Sequence, residues 1–129
     1  MPDELTRVLY VEDEPDIQMV ARLALESLGG FTVEICGSGE EAIARAPGFQ
    51  PQLIVLDVMM PGIDGPTTLV RLRKLPQFAA TPVIFMTAKV QPGEVAGYRE
   101  MGAVDVIPKP FDPMTLAGQI KAIWERCGD

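Results

Sequence analysis

A chain of 129 residues with 47% apolar and 22% charged side chains has the size and composition of one compact domain, with too much apolar content for disorder and no run near the ~20 residues of a membrane span. Eleven basic against eighteen acidic residues give a net charge of −7, which excludes the basic footprint of a direct nucleic-acid binder. The absence of histidine excludes a Ser-His-Asp triad, a Cys-His pair, histidine metal ligation and a phosphohistidine on this chain.

The first apolar run, Val8-Leu9-Tyr10-Val11, reads as a strand ending at Glu12-Asp13-Glu14. Pro15 suits a first helical turn, and Ile17, Val20, Ala21, Ala24, Leu25 and Leu28 follow at helical spacing until Gly29-Gly30. Phe31, Val33 and Ile35 alternate with Thr32 and Glu34, predicting a second strand with one face less buried. Ser38 and Glu41 form a capping box for a helix through Ala46, which Pro47 and Gly48 are expected to end. Leu53-Ile54-Val55-Leu56 is apolar on both faces, as a central strand covered by helices should be, and stops at Asp57. Gly65-Pro66 opens a helix carrying Leu69, Leu72 and Leu75. Val83 to Met86 forms a fourth strand ending at Thr87, and a weaker helix spans Glu94 to Met101. Val104 to Ile107 is a short fifth strand before Pro108-Lys109-Pro110. Asp112 as N-cap and Pro113 as first residue open a last helix with Leu116, Ile120, Ile123 and Trp124 inward.

Five strands alternating with five helices imply an α/β fold, a doubly wound parallel sheet covered on both faces. Of the two common orders, 2-1-3-4-5 is the one built from five strands, and its site lies beyond the carboxyl ends of the strands. There the chain delivers Glu12 and Asp13, Asp57, Thr87 and Lys109. Three crowded carboxylates repel and call for a cation, raised pKa values, or both. Oxygen ligands without sulfur or imidazole favour Mg²⁺, with Mn²⁺ as a substitute. Lys109 adds positive charge, so an anion such as phosphate is welcome beside the metal. Asp57 is the candidate nucleophile, able to form an aspartyl phosphate. Each residue has a plainer reading in isolation: Asp57 as a turn or cap, Glu12 to Glu14 as a solvated helix start, Thr87 as an N-cap, Lys109 as a surface lysine, Met59-Met60 as a loop plug. Their coincidence at four strand ends lifts the functional reading above them. The distant Cys36 and Cys127 read as packing residues, since neither has the spacing of a metal or redox pair.

The segments VLYVEDE, LIVLDVMMPGIDG, FMTA and GAVDVIPKPF stand in the order and spacing of one family. From Arg7 to Arg126 the chain resembles the receiver domain of two-component response regulators, of the stand-alone, chemotaxis-regulator-like type with a flavodoxin-like fold. The resemblance implies that Asp57 accepts a phosphoryl group from a sensor histidine kinase or histidine phosphotransfer protein in a phosphorelay. It implies Asp13, Asp57 and the Met59 backbone carbonyl as Mg²⁺ ligands, and Glu12 as a ligand through water. Thr87 and Lys109 are implied to engage the phosphoryl oxygens, and Lys109-Pro110 corresponds to a bond often cis. Pro61, Gly62 and Gly65 match the loop after the acceptor. Val106 departs from the family pattern, which often has a tyrosine or phenylalanine there; valine is short and stiff and has no comparable swing. Pro108 is a second departure, lacking an N–H just before Lys109.

The expected protein is one receiver domain over 1–129 with no output domain, cytoplasmic, a monomer or weak dimer, acting on a downstream protein without membrane or direct nucleic-acid contact. It is expected to be a phosphoacceptor rather than a turnover enzyme, apart from self-catalysed transfer and slow loss of the phosphoryl group. A haloacid-dehalogenase-type phosphatase needs a second aspartate where Met59 stands. A phosphate-independent interaction domain is opposed by intact Asp13, Asp57, Thr87 and Lys109, with Val106 arguing weakly in its favour. Flavin binding is opposed by Glu12-Asp13-Glu14, which would repel a phosphate.

Overall fold

The computed structural model describes residues 4–127. The elements run β1 (Arg7–Val11), α1 (Pro15–Arg22) continuing as a π-helical stretch (Leu23–Leu28), β2 (Thr32–Cys36), α2 (Gly39–Phe49), β3 (Leu53–Asp57) and α3 (Gly65–Arg73). A 3₁₀ turn (Pro76–Phe78), β4 (Val83–Thr87), α4 (Pro92–Glu100), β5 (Asp105–Pro108) and α5 (Leu116–Cys127) complete them. All strands are parallel, in the order β2-β1-β3-β4-β5. The doubly wound arrangement read from the alternating pattern is therefore present.

Strand alternation divides the core into two layers. Val8, Tyr10, Leu53, Val55, Ile84 and Met86 pack against Ala21, Ala24, Leu25, Leu116 and Ile120 of the α1 and α5 side. Leu9, Val11, Ile54, Leu56, Val83 and Phe85 pack against Ala42, Ala46, Leu69 and Leu72 of α2 and α3. Burial of each such leucine or isoleucine contributes about 2 kcal/mol. β3 and β4 are buried throughout, whereas the edge strands β2 and β5 are not. Among the described residues, no helix is long and apolar enough to cross a membrane.

Several boundaries differ from expectation for local reasons. α2 continues through Pro47 to Phe49, because a proline this near the end removes a single helical bond. The helix closes instead at Gln50, which adopts the left-handed conformation and donates its N–H to the Ala46 carbonyl. The Ser38 hydroxyl accepts from the Glu41 N–H as expected, but the Glu41 carboxylate reaches the Gly37 N–H rather than closing the reciprocal box. α4 starts earlier, at Pro92, and β5 takes in Pro108. Asp112 still begins the last helical segment, accepting from the Met114 N–H. Its first residues form turns, and the regular helix begins at Leu116. α3 stops at Arg73, leaving Leu75 beyond its end. The π-helical stretch of bonds to the fifth residue rotates the apolar stripe of the first helix. Leu28 at its end lies exposed, as do Met19 and Val20 in the regular turns before it and Leu23 at its start.

Arg73 at the end of α3 donates to the carbonyls of Phe78, Thr81 and Gly102. Asp105 at the start of β5 pairs with Arg99 of α4 and Arg126 of α5.

The start of α3 is set by Asp64, whose carboxylate accepts from the Thr67 N–H at 2.8 Å. Hydrogen bonding to Thr67 holds its pKa below the ordinary carboxylate value. Asp64→Ala is expected to cost about 1 kcal/mol in urea unfolding at pH 7. Because the folded pKa is the lower one, the stabilisation is present above the unfolded value and disappears as pH falls through the folded one. A wild-type and Asp64→Ala pair that unfold together at pH 7 would contradict this cap.

Candidate acidic phosphoacceptor site

The carboxyl ends of β1 and β3 bring Glu12, Asp13 and Asp57 together, one oxygen of each lying within 4.8 Å of the others. The topology does this directly: β1 and β3 are neighbours, with Val11 in register with Leu56, so the residues after them emerge side by side. Glu12 and Asp57 are buried and Asp13 is half-buried. Buried carboxylates need partners. Lys109, arriving from the end of β5, supplies one: its ammonium donates to Glu12 Oε1 at 2.9 Å and to Asp57 Oδ2 at 3.0 Å. Burial pulls the Lys109 pKa down, but its hydrogen bonds and charge attraction to Glu12 and Asp57 outweigh that, and it ends above the ordinary value. The second Glu12 oxygen accepts from the Glu14 N–H, and its backbone carbonyl accepts from the Gln18 side chain. The peptide bond from Lys109 to Pro110 is cis.

Thr87 closes β4 on the far side of Asp57 and is buried. Its hydroxyl oxygen accepts from the Lys89 N–H at 3.1 Å. A hydroxyl that accepts retains its proton for donation. Gly65 is packed against the end of β3, its N–H bonded to the Val58 carbonyl. A β-carbon there would stand 2.6 Å from the Asp57 carbonyl oxygen, which explains the glycine.

Three carboxylates and one ammonium sum to −2, the charge a divalent cation cancels. The donor set is all oxygen, as a hard cation requires. The residues present therefore fit such an ion. Of the loop pair, Met60 is the plug, packing on the α2 and α3 side of the core, whereas the Met59 side chain is 70% exposed and does not obstruct the acids.

Sequence reasoning missed two aromatic features. Val106 lies beside Phe85 in the β4–β5 register and packs half-buried on the core. The ring that meets Phe85 comes from Tyr98 of α4, edge-on at 5.3 Å between centroids. α4 has a weak apolar pattern and no fully buried residue, so nothing in its periodicity pointed to this contact. The second is Tyr10. Burial pushes its phenol far above the ordinary value, and the charges on Glu12 and Asp57 push it further.

Comparison with known proteins agrees with the geometry. The family of response regulator receiver domains matches residues 8–121. The transcriptional activator protein IrlR of Burkholderia pseudomallei is 39% identical over 120 residues, covering 93% of this chain and 51% of that protein. The alkaline phosphatase synthesis transcriptional regulatory protein PhoP of Bacillus subtilis is 37% identical, covering 93% of this chain and 49% of that protein. The chain thus spans about half the length of these curated relatives. Among solved structures, chemotaxis response regulator CheY4 of Vibrio cholerae superposes with a TM-score of 0.86 at 28% identity, covering 93% of this chain and 99% of that chain. A response regulator from Desulfuromonas acetoxidans superposes with a TM-score of 0.82 at 31% identity, covering 94% of this chain and 98% of that chain. With the acids, the hydroxyl and the lysine gathered at the strand ends of a five-stranded parallel sheet, this chain belongs to the response regulator receiver domain family.

Proposed function

We propose that Asp57 is the phosphoacceptor of a two-component phosphorelay, charged by a phosphohistidine on a sensor histidine kinase or histidine phosphotransfer protein. The observation that carries this reading is the Lys109 ammonium at 3.0 Å from Asp57 inside the Glu12–Asp13–Asp57 cluster. A carboxylate oxygen of Asp57 forms the new bond to phosphorus. The donor's P–N bond breaks, and its electron pair leaves with the imidazole. Charge on the transferring oxygens is met by the Lys109 ammonium and the Thr87 hydroxyl, so catalysis is mainly positioning and electrostatic stabilisation. Mg²⁺, with Mn²⁺ as a substitute, would be held by Asp13, Asp57 and the Met59 carbonyl, with Glu12 acting through water, and would neutralise phosphoryl charge. The chain would be a self-phosphorylating acceptor that slowly loses its phosphoryl group to water, not an enzyme turning over small esters.

A protein donor is favoured over a small substrate by the surface beside the site. A groove of about 220 Å³, lined by Ile17, Val20, Pro110 and Phe111, opens next to Lys109. Apolar side chains flanking a charged centre suit a macromolecular contact. The partners would be cytoplasmic: the phosphoryl donor and a downstream protein whose binding changes when Asp57 is modified.

Acetyl phosphate with Mg²⁺ is expected to give one phosphoryl adduct by intact mass, lost in Asp57→Asn and suppressed by a chelator. An adduct that persists in Asp57→Asn would sink the assignment.

A further inference from the structure

Among the described residues, Tyr10 is the largest fully buried side chain. Its hydroxyl has no hydrogen-bond partner among the described residues. An orphaned buried hydroxyl is unfavourable, a cost that phenylalanine of the same shape would avoid. The residue also stands close to the acids in the sheet. Tyr10 and Glu12 project from the same face of β1, two residues apart, and Tyr10 is in register with Val55, two residues before Asp57 on the adjacent strand. Along the sheet, Tyr10 therefore stands one pleat before both acids, and their charges add to the effect of burial in raising its phenol pKa.

Glu12 presents the complementary problem. It is buried, and its Oε1 is held by the same ammonium that holds Asp57. Under the phosphoacceptor reading, on which the following rests, Lys109 is drawn to the phosphoryl oxygens. Glu12 Oε1 then loses the ammonium while the residue remains in the interior. A donor without an acceptor thus stands two residues before a carboxylate whose Oε1 is about to lose its donor, while its Oε2 keeps the Glu14 N–H.

We propose that Tyr10 is a positioning residue: when Lys109 leaves Glu12, the Tyr10 hydroxyl donates to the Glu12 carboxylate and holds it in place. The hydrogen bond is absent while the lysine bridges the two acids and forms when that bridge opens. Tyr10 thereby favours the Lys109-released arrangement without touching the reacting atoms.

A double-mutant cycle tests this on the whole chain without requiring phosphorylation. Tyr10→Phe alone is expected to leave the folding equilibrium constant unchanged or higher. In a Lys109→Ala background, where Glu12 has already lost its cation, the same substitution is expected to lower that constant at least fivefold. Lys109→Met repeats the cycle if the alanine variant does not fold. Additive effects in the cycle overturn the proposal. A second measurement follows the first-order loss of the Asp57 phosphoryl group by mass. It is expected to be about fivefold faster in Tyr10→Phe, a change that a packing role alone does not produce in an isosteric variant. Equal loss rates also overturn the proposal. If the wild-type chain takes up no phosphoryl group, the phosphoacceptor reading fails, while the cycle still decides the role of Tyr10.

Discussion

Replacing Lys109 with alanine is expected to destabilise the metal-free protein by about 2–3 kcal/mol and to slow phosphoryl uptake from acetyl phosphate about a hundredfold. The stability effect arises because one ammonium serves two interior carboxylates, at 2.9 Å and 3.0 Å. Removing one partner of a buried pair typically costs ~3–5 kcal/mol; the lysine keeps some solvent contact, and water relieves part of that. Added Mg²⁺ should recover much of the loss, since a divalent cation replaces the missing charge among Glu12, Asp13 and Asp57. The pH profile has a definite sign. The folded Lys109 pKa lies above its ordinary value. Its stabilisation is therefore full below the unfolded pKa near ~10.4 and disappears only as pH rises through the folded one. Urea unfolding of both proteins in chelator and in Mg²⁺ gives the comparison. Equal stability in chelator would show that Lys109 does not hold the acids.

Gly65→Ala is expected to be nearly as damaging for a different reason. The added carbon would sit 2.6 Å from the Asp57 carbonyl oxygen and 3.0 Å from the Val58 α-carbon. Both are backbone atoms, so no side chain can swing aside. Overpacking of this kind costs about 1–3 kcal/mol. Relief by moving the chain would displace Asp57 itself, and misplacing a reacting group by about 1 Å can cost on the order of 100-fold in rate. Phosphoryl uptake should therefore fall more steeply than stability alone explains. Gly48→Ala is the control: a β-carbon at Gly48 meets nothing within 4 Å. It lies in α2, where alanine is favoured over glycine by about 1 kcal/mol. Unimpaired uptake by a folded Gly65→Ala protein would show that the backbone has slack at this position.

The sheet and the acid cluster were legible because each rests on a strong one-dimensional signal. β3 and β4 are unbroken apolar runs ending in Asp57 and Thr87, and a parallel sheet brings such ends to one edge. What escaped notice depends on contacts made across elements. Pro47 reads as a helix breaker, yet Ala42 and Ala46 bury the same helix on the core and carry it one turn further. The π-helical stretch after Arg22 leaves no trace in residue types, so Leu28 looked like an inward position. Tyr98 lies in a helix with little amphipathic pattern, and its partner Phe85 is known only once β4 and α4 are placed together. Tyr10 is concealed in the opposite way. Inside a buried strand an aromatic residue passes for packing, and only the unmatched hydroxyl separates it from phenylalanine.

The three carbonyls gripped by Arg73 have a mechanical implication. They belong to the turn after α3, the lead into β4 and the bend before β5, all at the rim of the sheet away from Asp57. A single cationic fork ties those connections together, so the entrances to the last two strands are anchored. A slide of β4 and β5 along their axes would have to break these bonds, whereas a pivot about this base keeps them.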